Sequence, residues 1–270
     1  MSVLRRLDDR LLPAVSGGAQ RLARRRLVVA VLAVLVVAGL GLAAIAGSRR
    51  HPPVPAASSV LRVGAVQGTS IPAYASSART ELAALSAARK RPVYALVSLA
   101  GYGTPVQLAA LTDGVSVVEA YLRVPLRYVQ TEIRPVSVID VQRDLDAAML
   151  TVAASEERDA ADADAQAAKL AGGSSQESKL RAYYLQSARL LRQQAQAYRS
   201  ICSCVYAVVV RATPQALTVL AARPGVRIVD PAPEVASLER VVFLPVLPEQ
   251  LTVVQPPPDA GQPSLPPAGK

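Results

Sequence analysis

Side chains able to do covalent or metal chemistry are scarce in this 270-residue chain. There is one histidine, His51, and there are two cysteines, Cys202 and Cys204. One histidine rules out a multi-histidine metal site, and two cysteines rule out a four-cysteine zinc site. The only reactive-looking motif is Cys202-Ser203-Cys204. Residues i and i+2 of a strand lie on one face, about 6.6 Å apart along the chain. A disulfide needs its Cβ atoms at about 3.8 Å. A bridge between Cys202 and Cys204 therefore needs a bend, which a helix-to-strand junction after Ser200 would supply. Three states stay open: a local disulfide, a pair of buried thiols, or bridges to other chains. A redox-catalytic role finds no support in a C-x-x-C at a helix N-terminus.

The carboxylates are more numerous. Glu156, Glu157, Asp159, Asp162 and Asp164 form an acidic run. A calcium loop needs a glycine at its bend and ligands at alternate positions. The run has neither and reads as a solvated helix face. Asp113, Glu119, Asp140 and Asp230 show no spacing that pairs them as acid and base. His51 lies in a proline-rich linker. The chain lacks G-x-S-x-G, the P-loop, G-x-G-x-x-G and H-E-x-x-H. No catalytic residue, no cofactor and no metal is expected, and the chain reads as a non-enzyme.

The elements that would carry these residues begin with a membrane segment. Leu27 to Ala46 contains no polar or charged side chain. Twenty helical residues span about 30 Å, the thickness of the hydrocarbon core. Seven arginines precede it, among them Arg21, Arg24, Arg25 and Arg26, against Asp8 and Asp9; only Arg49 and Arg50 follow closely. The positive-inside rule then puts the N-terminus in the cytoplasm and the rest outside. Ala44-Ile45-Ala46 offers a signal-cleavage pattern, but the apolar run exceeds the roughly 7–15 residues of a signal peptide's core, so an uncleaved anchor is favoured. Half of the net charge of +10 lies in the 26-residue stub, where it sets orientation, and the other half is spread over the outer residues. Nucleic acid is not expected as a partner, since the arginines are not interleaved with aromatics.

Beyond the membrane lies a duplication. Val93 to Val118 (VYALVSLAGYGTPVQLAALTDGVSVV) matches Val205 to Val229 (VYAVVVRATPQALTVLAARPGVRIV). Shared landmarks are Tyr94/Tyr206, Thr104-Pro105/Thr213-Pro214, Leu108/Leu217 and Gly114/Gly225. The β-branched run suits a strand. Thr-Pro starts a helix, because threonine caps and proline at the first position lacks only an N–H that would be unpaired. Gln107 completes a capping box in the first copy. Glycine ends the helix, and a second strand follows. Each copy is a βαβ unit with parallel strands, and two such units make a ferredoxin-like sheet of four strands with two helices on one face. The first strand of each unit is central. Both are apolar on both parities, so the second face is expected to be covered as well.

Residues 138–201, between the copies, read as a helical hairpin. Met149, Ala153, Ala160, Ala163, Ala167 and Leu170 recur at helical spacing, as do Leu180, Tyr184, Ala188, Leu191, Ala195 and Tyr198. The pattern is heptad-like, and Gly172-Gly173-Ser174-Ser175 supplies the turn. A further helix is expected over about 73–91, and an edge strand within 60–71.

The expected organisation is a cytoplasmic basic stub at 1–26, a transmembrane helix at 27–46 and a linker at 47–59. An extracytoplasmic α+β domain follows at 60–250, with βαβ units at 93–122 and 205–231. A proline-rich disordered tail closes the chain at 251–270.

This layout, with its apolar span, VYALVSL, CxCVYAVVVRATP, GVRIVDPAPEV and the closing LPEQ (Leu247 to Gln250), resembles uncharacterised single-pass membrane proteins of actinobacteria. The resemblance implies a cell-membrane location and no activity. The βαβ pair also resembles the topology of protease propeptide domains, at the level of fold only. The function expected is a membrane-anchored interaction or scaffold protein of the cell envelope. Its partners would be the lipid bilayer and a protein, or a second copy, met through the hairpin or the sheet face. A peptide-, lipid- or protease-binding module on the sheet face is the alternative, and a thiol-redox protein using Cys202 and Cys204 the second.

Overall fold

The computed structural model describes residues 60–88, 90–170 and 173–256. The chain divides into two compact units, residues 1–59 and 60–270, and the described residues all fall in the second. The apolar segment 27–46, the arginines that flank it, the linker 47–59 and residues 257–270 lie outside the described part. Among the described residues no helix is long and apolar enough to cross a membrane.

The order of elements is β1 (Leu61–Gly64), α1 (Ile71–Ala88), β2 (Val93–Gly103), α2 (Pro105–Leu111), β3 (Ser116–Leu122) and β4 (Arg134–Ser137). Then come α3 (Val141–Ala168), α4 (Ser175–Arg199), β5 (Val205–Ala212), α5 (Pro214–Ala221), β6 (Val226–Ala232) and β7 (Val241–Leu244). The protein is mixed α+β. Its main sheet has five strands in the order β4-β3-β5-β2-β6, each antiparallel to its neighbour. β2 and β3 therefore run parallel to one another with β5 between them, as do β5 and β6 around β2. The two first strands sit centrally, with Leu96 opposite Val209 and Val97 opposite Val208.

The local causes are those the sequence carries. The Thr104 side chain accepts from the Gln107 backbone N–H, and the Gln107 side chain accepts from the Thr104 N–H. Thr213 caps α5 through the Ala216 N–H. Gly114 and Gly225 close the two helices at φ +79° and +96°, a region where a side chain is strained.

One face of the sheet packs Val93, Ala95, Val97, Val208 and Val210 against Leu108 of α2, Leu217 and Leu220 of α5, and Leu145 and Met149 of α3. The other face packs Leu96, Tyr121, Tyr206 and Val209 against Val63 of β1 and Val235, Phe243 and Leu247. Both faces are thus covered by the chain itself. Both edge strands carry a proline, Pro135 in β4 and Pro231 in β6. A proline cannot donate to a ladder and blunts an edge against further pairing.

Three expectations are corrected. The main sheet has five strands and not four, because β4 adds to β3. Four residues containing a proline give no periodicity to read. The first strand is not an edge of that sheet; β1 pairs in parallel with β7 as a separate two-stranded sheet on the second face. The tail expected from residue 251 is tied down at its start. Ile71 N–H donates to the Thr252 carbonyl, and Val254 and residues 68–69 exchange hydrogen bonds.

The hairpin forms with Asp140 capping α3 and a Ser174–Glu177 capping box starting α4. Its arms of 28 and 25 residues are about 42 and 38 Å long at 1.5 Å per residue. Leu145, Met149, Ala153 and Tyr198 root it in the main core. Further out the seam is alanine: Ala160 and Ala167 on α3, Ala188 and Ala195 on α4 are all buried. Small side chains let the two backbones approach closely, and the outward faces stay in solvent.

Candidate functional site

Cys202 and Cys204 are joined by a disulfide, with their Cα atoms 5.3 Å apart. The bend it requires comes directly after α4, where Ile201 takes a positive φ of 49°, a strained value for a β-branched residue. Cys204 is fully buried; its N–H donates to the Gly103 carbonyl, and its own carbonyl accepts from the Arg123 N–H. These two backbone bonds of Cys204 hold the hairpin's return at the point where β2 and β3 end.

Arg123 follows β3 at that point and is the centre of a first polar cluster. Its side chain is 3% exposed. Nη1 donates to the Tyr102 hydroxyl at 2.6 Å and to the Glu249 carboxylate, and Nη2 donates to the Val129 carbonyl at 3.3 Å. The Tyr102 hydroxyl in turn donates to Glu249 at 3.0 Å. Burial alone would weaken the charge on the guanidinium; Tyr102 and Glu249 outweigh it and hold the proton more firmly than usual. Arg227 donates to the carbonyls of Leu247 and Gln250, and the Gln250 side chain accepts from the Leu247 N–H. The LPEQ segment is therefore a clamped turn, gripped by two arginines from the sheet.

A second cluster is built around Arg134 of β4. It lies in a cleft of about 550 Å³ between α3, α4 and residues 130–134. Arg134 Nη2 lies 2.6 Å from Glu132 and 2.6 Å from Glu156. Glu156 belongs to the acidic run, yet its side chain is only 3% exposed. Burial pushes its carboxyl above the ordinary glutamate range; Arg134 opposes this, and the negative Asp159 and Glu132 add to it. Asp159, three residues on, also lines the cleft, as does Gln194 of α4, which is 7% exposed. Leu190, Leu191 and Tyr183 give the cleft an apolar wall.

The solvated-face reading of the acidic run thus fails at Glu156. A signal was present: Met149, Ala153, Glu156, Ala160, Ala163 and Ala167 alternate four and three residues, so the same spacing that marks the seam includes the glutamate. Of the rest of the run, Asp159 lines the cleft, and Glu157 pairs with Arg199 and Asp164 with Arg192 across the hairpin.

The other carboxylates take separate partners. Asp140 accepts from the Arg143 N–H as a helix cap. Asp230 accepts from the Tyr74 hydroxyl at 2.8 Å, and burial raises its pKa despite that bond. Glu119 accepts from the Tyr121 hydroxyl, and Asp113 is exposed after α2. Among the described residues no group of three or more His, Cys, Asp or Glu side chains is placed to hold a metal ion.

Compared with protein-family models, with curated proteins and with solved structures, the chain matches none. This agrees with the resemblance above, which carries no named family and no assigned activity.

Proposed function

We propose that this chain is a membrane-anchored, extracytoplasmic interaction module of the cell envelope. It has no catalytic role of its own and engages a protein partner through its helical hairpin. On this reading the segment 27–46 is the anchor, Arg21, Arg24, Arg25 and Arg26 keep the stub on the cytoplasmic side, and the ferredoxin-like sheet serves as the base that holds the hairpin. The observation that carries the proposal is the hairpin's construction. Its root is buried in the main core, while an alanine seam closes it further out and leaves two polar outer faces to solvent. Only the root of the hairpin covers the sheet, through Leu145, Met149, Ala153 and Tyr198; its outer turns are available for docking.

The hairpin is favoured over the sheet face for a physical reason. Both faces carry the chain's own elements, and both edges carry a proline. The disulfide fits a local staple, since one of its two sulfurs sits on a fully buried residue.

The test is site-specific photo-crosslinking of the full chain in its native host. A photoreactive residue replaces exposed Asp162 or Arg181 on the hairpin, or exposed Arg79 on α1 as the control. The same partner captured from 162 and 181, and not from 79, is the expected result. Equal capture from all three positions, or none from the hairpin, overturns the proposal.

A further inference from the structure

The cleft around Arg134 has more acceptors than the chain uses. Three carboxylates, Glu132, Glu156 and Asp159, meet one cation, and a single nitrogen of that cation serves two of them. Asp159 forms no ion pair among the described residues. It lies three residues after Glu156 and so on the same side of α3. A second, independent observation concerns Gln194 on the opposite helix. The residue is more than nine-tenths buried and lines the cleft; no side-chain hydrogen bond ties its amide to another described residue, and the amide is not among the side-chain groups sealed from solvent, so it faces the cleft. An amide held by its helix at the wall of an acidic cleft offers one acceptor and two donors to a group that enters it.

The chemistry of a group that would fit follows from these residues. An anion would meet net negative charge. A metal ion needs its ligands converging within about 2.6 Å of one point, and no such group exists here. A guanidinium or alkylammonium spreads its donors over several ångströms and fits dispersed carboxylates and an amide oxygen. Leu190, Leu191 and Tyr183 form a wall on which a methylene stem would lie while its charged head reaches the acids.

We infer that the cleft between the hairpin and residues 130–134 receives an arginine or lysine side chain of the partner protein, held by Asp159 and Glu156 and by the amide of Gln194. This rests on the interaction-module reading and names the chemistry of its partner. The acidic cleft stands on a chain whose formal charge is +10, so the attraction is local to this site and not a property of the whole surface.

The test uses the full chain in lipid nanodiscs and acetyl-Gly-Arg-Gly-amide as the probe, followed by NMR or calorimetric titration into the millimolar range. The neutral citrulline peptide is the matched control, and putrescine stands for a free polyamine. The arginine peptide is expected to bind at least tenfold more tightly than the citrulline peptide. Asp159→Asn and Gln194→Leu are each expected to weaken it about tenfold while the melting temperature stays unchanged; Asp159 is exposed, so its variant leaves the fold intact. Equal binding of the arginine and citrulline peptides overturns the inference, as does unchanged binding to both variants. Binding of putrescine without the arginine peptide also overturns it, in favour of a free amine. The crosslink from position 162, repeated with Asp159→Asn, separates the two proposals. A crosslink that persists undiminished beside a failed titration removes the cleft and leaves the module standing. A crosslink absent from every hairpin position removes the module itself.

Discussion

Arg123 and Arg134 stand at the centres of two clusters that look alike on paper and are built in opposite senses. At Arg123 the cation is buried and its carboxylate, Glu249, is 44% exposed. At Arg134 the cation is a quarter exposed and its carboxylate, Glu156, is buried. A guanidinium cannot give up its proton, so burying it demands that the chain engage its donors. The structure meets three of its five N–H donors, with a tyrosine, a carboxylate and a backbone carbonyl. A buried carboxylate can take up a proton instead, so it tolerates a looser setting. The first cluster is closed on itself and holds the C-terminal segment to the sheet. The second keeps a cleft, an unpaired aspartate and an unpartnered amide.

The largest expected effect comes from stranding the buried cation. Glu249→Ala leaves Arg123 with only Tyr102 and a carbonyl. Removing one partner of a buried pair costs about 3–5 kcal/mol, and the exposure of Glu249 places this case at the lower end, about 3 kcal/mol. For a domain of this size that lowers the melting temperature by about 9 °C. Circular dichroism melts of the full chain in detergent measure it. A fall under about 2 °C would mean that water replaces Glu249, and the contrast between the two clusters would collapse.

Stranding the buried carboxylate should cost less and should depend on pH. Burial already raises the pKa of Glu156, and Arg134 opposes the rise. A group whose pKa is raised in the folded state favours the fold below its ordinary value of 4.5 and loses that contribution as pH climbs through the folded value. Arg134→Met removes the opposing charge and pushes the folded value higher. Wild type and variant should therefore be nearly equally stable near pH 4, and the variant should fall behind by about 1–2 kcal/mol towards pH 7. Denaturant titrations at several pH values read the difference. A gap independent of pH would show that Glu156 stays charged throughout, making the two clusters equivalent.

How much of this a reader could have seen in the sequence varies with the range of the interaction. The Thr-Pro caps, the capping box at Thr104 and Gln107, the closing glycines and the alternating seam are local, and each is visible within four residues. The cysteine pair announced its need for a bend, and Ile201 supplies it. Glu156 was visible in the seam spacing and was outweighed by the charge of its neighbours. Arg123 and Glu249 are 126 residues apart, and nothing near either residue marks the pairing. β4 and the β1–β7 pair escaped for a related reason, since four-residue strands carry too little periodicity to stand apart from loop. Gln194 sits beside the expected seam positions Leu191 and Ala195, where polarity alone says nothing of whether a partner is present.

The smallest effect tests whether the closed cluster is as complete as its hydrogen bonds suggest. Tyr206 lies beside it, fully buried, with its ring centre 5.9 Å from that of Tyr102. Its hydroxyl has no partner among the described residues, whereas the Tyr102 hydroxyl accepts from Arg123 and donates to Glu249. A buried hydroxyl without a partner costs desolvation and returns nothing, so Tyr206→Phe should leave stability unchanged or raise it by up to about 1 kcal/mol. Tyr102→Phe, the same chemical change on the adjacent ring, removes two bonds to charged groups and should lower stability by about 1.5–3 kcal/mol. The sign of the difference is the decisive reading. If Tyr206→Phe destabilises as much as Tyr102→Phe, the Tyr206 hydroxyl reaches the Arg123 cluster in solution, and that cluster holds a fourth member. If the two variants part as expected, the hydroxyl of Tyr102 is what completes the cage around Arg123, and its neighbour contributes only the packing of its ring.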